Sequence, residues 1–135
     1  MIFIGDIAIP SGVTPIIDYL PDCFSQPVIA NLEGVIAIKG TVSSKEMKLF
    51  NDEKVVEFLK KLNVKVVSLG NNHITDVPSS FKNTKELLAK NNIAYCGAGY
   101  TLEEASRATI FQEGKNAFAF ISFGWNVISC KYIST

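Results

Sequence analysis

The sequence predicts an α/β domain on a largely parallel sheet, with one antiparallel hairpin near its end. Three observations carry that expectation. Apolar runs of strand length recur at 2–4, 27–30, 64–69 and 93–96. Helical periodicity precedes the last two of them, at 55–62 and 81–88. Late in the chain, the runs 109–112 and 117–123 flank Glu113-Gly114-Lys115-Asn116, which is a hairpin signal.

The bulk properties fit one folded domain spanning 1–135. Hydrophobic residues make up 47% of the 135 and charged residues 19%, which supports a buried core and excludes a disordered chain. Lys+Arg and Asp+Glu balance at 13 each, so no basic excess points to nucleic acid. No run approaches the ~18 apolar residues needed to span a bilayer. Met1 to Asp6 enters a strand directly, without a basic and then apolar leader. The expectation is therefore a cytoplasmic chain. Cys23, Cys96 and Cys130 are odd in number and form no C-x-x-C pair, which reads as small core residues in a reducing compartment.

In chain order, Ile2-Phe3-Ile4 reads as a buried strand stopped by Gly5-Asp6. Pro10, Ser11, Gly12 and Pro15 mark a loop, and 16–20 could form a short helix ended by Pro21. The strand 27–30 stops at Asn31-Leu32-Glu33-Gly34, and 35–39 could stay extended. Asn51 or Asp52 suits a helix N-cap, with Val55, Val56, Leu59 and Leu62 on the inner face beyond it. Glu57 and Lys61 stand at a favourable i,i+4 spacing. Asn63 suits a left-handed stop before strand 64–69.

The second helix starts at Pro78-Ser79-Ser80, with Phe81, Thr84, Leu87 and Leu88 inward, and ends at Asn91-Asn92. Strand 93–96 stops at Gly97-Ala98-Gly99, a tight turn. Thr101-Leu102-Glu103-Glu104 has capping-box spacing. Phe118, Phe120 and Phe123 read as core. Residues 125–135 keep core-type composition, so the chain reads as the first part of a longer domain.

Four strands thus have polar or glycine-rich exits, and ligands of open α/β sheets bind at the carboxyl ends of strands. The exits are Gly5-Asp6, Asn31-Leu32-Glu33-Gly34, Gly70-Asn71-Asn72-His73 and Gly97-Ala98-Gly99. Each residue has an ordinary reading alone: Asp6 as a turn former, Asp76 as a cap, and one of Asn71 and Asn72 in a left-handed turn. Together, Asp6, Glu33, Asn72 and His73 would converge on one edge. Two carboxylates, an amide oxygen and an imidazole suit Mn, Fe or Zn better than a thiolate-seeking metal.

These motifs, in this order and completed by Ile74-Thr75-Asp76 and Glu104-Ala105, resemble the CapA (PGA-cap) family of bacterial capsule proteins associated with poly-γ-glutamate. The similarity runs from Ile2 to about Phe123. That family looks like a branch of the calcineurin-like metallophosphoesterases. The resemblance therefore implies the N-terminal part of a metallophosphatase-like αββα sandwich, with metals at the strand ends. It implies metal-binding roles for Asp6, Glu33 and Asn72, and catalytic roles for His73 and for Asp76 behind it. The implied ligand is a divalent metal (Mn, Fe or Zn), with an anionic polymer or a phosphoester as substrate. Two departures stand out. Ala8 occupies the place of the histidine in the superfamily's Asp-x-His motif, and His73 is the single histidine, so no Gly-His-x-His motif is present. The implied activity is a metal-dependent hydrolase whose site is incomplete here; the competing expectation is a non-catalytic polymer-binding component of capsule assembly.

Overall fold

The structure is a computed structural model that describes residues 1–38, 40, 42 and 48–124. In chain order the strands and α-helices are β1 (Ile2–Ile7), β2 (Val28–Leu32), β3 (Val35–Ile36), β4 (Phe50–Asn51), α1 (Val55–Lys61), β5 (Val64–Ser68), α2 (Phe81–Lys90), β6 (Ala94–Cys96), α3 (Leu102–Ser106), β7 (Thr109–Glu113) and β8 (Asn116–Phe120). Four of the strands form an all-parallel sheet in the order β1-β2-β5-β6. A parallel pair, β3-β4, and the antiparallel hairpin β7-β8 complete the strands. The fold is thus mixed α/β, mainly parallel, with a hairpin late in the chain.

Helix and strand are joined the same way twice. Both α1 and α2 run into an asparagine in the left-handed region, Asn63 at φ 58° and Asn92 at φ 56°. A short polar side chain tolerates that conformation, which lets the chain reverse into a parallel strand. The helices cover one face of the sheet, where Val28, Ala30, Leu32, Val64, Val67 and Leu69 meet Val55, Leu59, Phe81 and Leu88 in the main core. On the other face the row Phe3, Ile29, Val66 and Ala94 lies in register across the four strands. There Phe3 meets Phe120 of the hairpin, ring centroids 6.2 Å apart.

A bulge in β1 sets up the site. From Phe3 to Asp6 the strand takes three steps while β2 takes two, from Ile29 to Asn31. Without the extra residue Asp6 would face Leu32 of the core, because a slip of one residue turns a side chain to the opposite face. With it, Asp6 lies opposite Asn31.

Several local expectations are corrected. Residues 16–20 form no helix; a 3₁₀ turn at Asp22–Ser25 follows Pro21 instead. Five residues between two prolines cannot meet the cost of helix nucleation, and Ile16 and Tyr19 find nothing to pack against, standing exposed. Phe3 is 68% exposed because β1 is an edge strand. Phe118 is exposed because the hairpin's outer surface meets no further layer among the described residues, and Phe123, in the segment after β8, is 79% exposed. Cys23 is exposed, whereas Cys96 is buried as expected. Glu57 pairs with Lys60 at 3.1 Å rather than with Lys61. Neither Asn71 nor Asn72 is in the left-handed region, where among the described residues only Asn63 and Asn92 join the glycines. Cys130 and the rest of 125–135 lie outside the described residues. Among the described residues no helix is long and apolar enough to cross a membrane.

Candidate functional site

Parallel register places Asp6, Asn31, Ser68 and Cys96 in one row near the carboxyl ends of the four strands. Parallel partners share a face, so Asp6 and Asn31 meet directly. The Asn31 amide donates through Nδ2 to Asp6 Oδ1 at 2.8 Å and to Glu33 Oε2 at 3.2 Å. A primary amide carries two N–H groups, so a single nitrogen can serve both carboxylates. The backbone also fixes Glu33: its N–H donates to the Ile7 carbonyl at 2.9 Å, and its own carbonyl accepts from Asn51 Nδ2 at 2.8 Å. Asn51 is fully buried, is part of β4, and accepts from the Ile9 N–H at 2.7 Å. It therefore ties three segments together and caps no helix. The carboxylate of Asp52 makes the helix-entry contact instead, accepting from the Lys54 N–H at 3.0 Å.

Asn71 joins this cluster to the loop after β5. It is buried, and its side chain makes four hydrogen bonds. Nδ2 donates to the Leu32 carbonyl at 2.8 Å and to Asn31 Oδ1 at 3.3 Å. Oδ1 accepts from the N–H groups of Gly34 and His73, each at 3.2 Å. The backbone partners fix which end of Asn71 is which. That in turn presents a donor to Asn31, so Asn31 must offer it Oδ1 and turn Nδ2 to the carboxylates. Gly34 sits where no other residue fits well. Its φ is 75°, and an added Cβ would lie 2.6 Å from the Leu49 carbonyl oxygen. The Asn-Leu-Glu-Gly and Asn-Asn-His segments are thus laced together through one amide.

Further along the same loop, His73 Nδ1 lies 2.9 Å from Asp76 Oδ2, which also accepts from the Leu49 N–H at 2.9 Å. With an ionised Asp76 as acceptor, the proton sits on Nδ1, and Nε2 is left as the second ring nitrogen. The two side chains are 36% and 24% exposed, so the pair is open to solvent on one side. Asn72 is half-buried, and its side chain makes no hydrogen bond among the described residues. The geometry therefore joins Asp6 to Glu33 and His73 to Asp76, and leaves Asn72 without a hydrogen bond to either pair among the described residues.

The fit to a metal is that of a partial set. Among the described residues no group of three or more His, Cys, Asp and Glu side chains is placed to hold an ion. What is present is two carboxylates that share the Asn31 amide nitrogen, and carboxylate oxygens are ligands of the kind hard divalent cations use.

Two further features frame this edge. Ser68 Oγ and Ser122 Oγ are 2.7 Å apart, and residues 122–124 pass close over the end of β5. A Cβ on Gly97, at φ 89°, would meet the Gly70 backbone nitrogen at 2.7 Å, so that glycine is required by close approach; one on Gly70 would crowd the Ser122 hydroxyl and come within 3.1 Å of the backbone of residues 122 and 123. Beyond them, Lys85 of α2 binds Glu104 of α3, and Glu104 Oε2 accepts from the Tyr100 N–H at 2.9 Å. Thr101 caps α3 by accepting from the Glu104 N–H at 3.1 Å, but the Glu104 carboxylate does not return the bond as a full capping box would. It braces residues 97–100 instead. The hydrogen bond from Lys85 holds the Glu104 carboxyl below its usual range, and the same bond raises the Lys85 ammonium.

Asn31 and Asn71 are the organising residues that sequence reasoning did not single out for these roles. The bulge in β1 alone sets Asn31 opposite Asp6, so regular counting along the strands does not find it, and nothing in the local pattern marks Asn71 as the link between loops.

The family model described as "Bacterial capsule synthesis protein PGA_cap" matches residues 2–133. A relative from Bacillus subtilis (strain 168), described as "PGA biosynthesis protein CapA", is 28% identical over 143 residues, covering 96% of this chain. The chain spans 37% of that relative's length.

Proposed function

The chain belongs to the PGA_cap family of bacterial capsule synthesis proteins, and we propose that it contributes part of a divalent-cation-dependent phosphoester hydrolase site. The observation that carries this reading is the pairing of Asp6 and Glu33 through one amide at the carboxyl ends of β1 and β2. Asp6 and Glu33 would hold the cation, with the amide oxygen of Asn72 as a further ligand after its side chain turns toward them. A cation there would polarise a phosphoryl oxygen and acidify its bound water.

The chain's own part is proton handling by His73. Asp76 fixes the Nδ1–H tautomer, so Nε2 is the basic nitrogen. It takes a proton from water as the water oxygen bonds to phosphorus. It returns that proton to the leaving oxygen as the phosphorus–oxygen ester bond breaks. A phosphoester on or near an anionic polymer is the substrate class, in keeping with the relative's printed role in PGA biosynthesis.

A second reading is favoured by one specific feature, Ala8 at the position of the superfamily's Asp-x-His histidine. In that reading the cleft binds an anionic polymer without hydrolysing it. Calorimetric titration of the chain with Mn²⁺, beside Asp6→Asn and Glu33→Gln, separates the two. Binding by the parent that falls at least about tenfold in each variant, a difference of about 1.4 kcal/mol, supports the metal site. Absence of binding by the parent refutes it. Hydrolysis of a chromogenic phosphodiester that is lost in His73→Ala supports catalysis, whereas metal binding without hydrolysis supports the polymer-binding reading.

A further inference from the structure

We infer that Asn31 is a positioning residue that occupies the cation's place between Asp6 and Glu33, and that a divalent cation binds by displacing its amide. The inference rests on the metal-site reading and adds to it a competitor built into the chain.

Asp6 Oδ1 and Glu33 Oε2 both face the same donor nitrogen, and two negative charges so placed repel one another. One nitrogen relieves both, at 2.8 and 3.2 Å. A cation sharing the two carboxylates would sit at about 2.0–2.6 Å from each. Asn31 Nδ2 already lies in the space between them. Nitrogen and cation serve the same electrostatic purpose and cannot occupy the same space.

Nor can Asn31 readily become a ligand by turning over. Its Oδ1 is held by Asn71 Nδ2 at 3.3 Å, and Asn71 is fixed in turn by Leu32, Gly34 and His73. A flipped Asn31 would set its own N–H groups against the N–H groups of Asn71. The amide must instead swing aside, and the cation-free arrangement resists binding by the strength of the bonds given up. Asp6 is exposed and Asn31 and Glu33 are half-buried, so there is room for that movement.

The test uses the whole chain. In ¹⁵N-labelled protein titrated with Mg²⁺, the side-chain NH₂ signals of Asn31 should move with the same midpoint as the backbone amides of Asp6 and Glu33. By calorimetry, Asn31→Ala and Asn31→Ser should each bind Mn²⁺ about tenfold more tightly than the parent. Neither replacement reaches both carboxylates. If the Asp6 and Glu33 amides move while the Asn31 NH₂ signals stay fixed, or if the variants bind equally or more weakly, displacement is wrong and the metal site survives. If parent and variants all fail to bind, the metal site falls and displacement falls with it. The Mg²⁺ titration uses only the parent, so a misfolded variant cannot obscure the answer.

Discussion

Replacing Asn71 with alanine should be among the most damaging single changes at this edge of the sheet. The side chain makes four hydrogen bonds. The bonds to the Gly34 N–H and to the Leu32 carbonyl are buried, and alanine leaves both groups without a partner. A buried polar group left unsatisfied costs about 1–3 kcal/mol. The bonds to His73 and Asn31 are only partly buried, and water can replace much of them. The expected loss is therefore about 3–4 kcal/mol, a large share of the roughly 5–15 kcal/mol that stabilises an ordinary domain. Urea unfolding followed by circular dichroism in EDTA measures it, and the midpoint should fall with an unchanged slope. Asn72→Ala is the matched control. Its side chain has no hydrogen bond among the described residues, so its cost should stay within about 0.5 kcal/mol. A loss below about 1 kcal/mol for Asn71→Ala, or an equal loss at Asn72, would refute the reasoning that Asn71 alone laces the two loops.

Two other outcomes follow from the same geometry. Gly34→Ala should cost at least about 2 kcal/mol, since it adds the left-handed strain of a Cβ to a collision with the Leu49 carbonyl. Gly114→Ala, at φ 61° with open space around it, should cost only about 1 kcal/mol, and equal costs would deny the collision a role. The Lys85–Glu104 pair should stabilise the protein between about pH 4.5 and 10.5. The Glu104 carboxyl is held below its ordinary value of 4.5, so its contribution is present above that pH and is lost as pH falls through the folded value. The Lys85 ammonium is raised above 10.5, so its contribution is present below that pH and is lost as pH rises through the folded value. Melting temperatures of Glu104→Gln should lie below the parent's at neutral pH and converge with them at the acid end; a constant gap would exclude the ion pair as the cause.

Much of this architecture is legible locally. The two αβ units, each closed by a left-handed asparagine, follow from helical periodicity, a short polar stop and an apolar run, all within a few residues of chain. The hairpin follows from its glycine turn. What local pattern misjudged depends on layers. Phe3, Phe118 and Phe123 have core composition, yet an edge strand, an outer hairpin surface and the segment after the hairpin leave them exposed among the described residues. Asn51 has the composition of a cap, and only the meeting of Ile9, Glu33 and β4 makes it a buried bridge.

The sequence by itself determined the two αβ units, the largely parallel sheet with its late hairpin, the family resemblance and the set of polar residues at strand exits. Those depend on spacing and on short-range preferences. Only the tertiary structure decided how that set divides: Asp6 with Glu33, His73 with Asp76, and Asn72 bonded to neither. The division depends on a one-residue bulge in β1, on parallel register between strands 25 residues apart at Asp6 and Asn31, and on the four bonds of Asn71. The physical reason is that a side chain's face is set by the count of residues along its strand, whereas its partner is set by whichever segment the rest of the chain brings alongside.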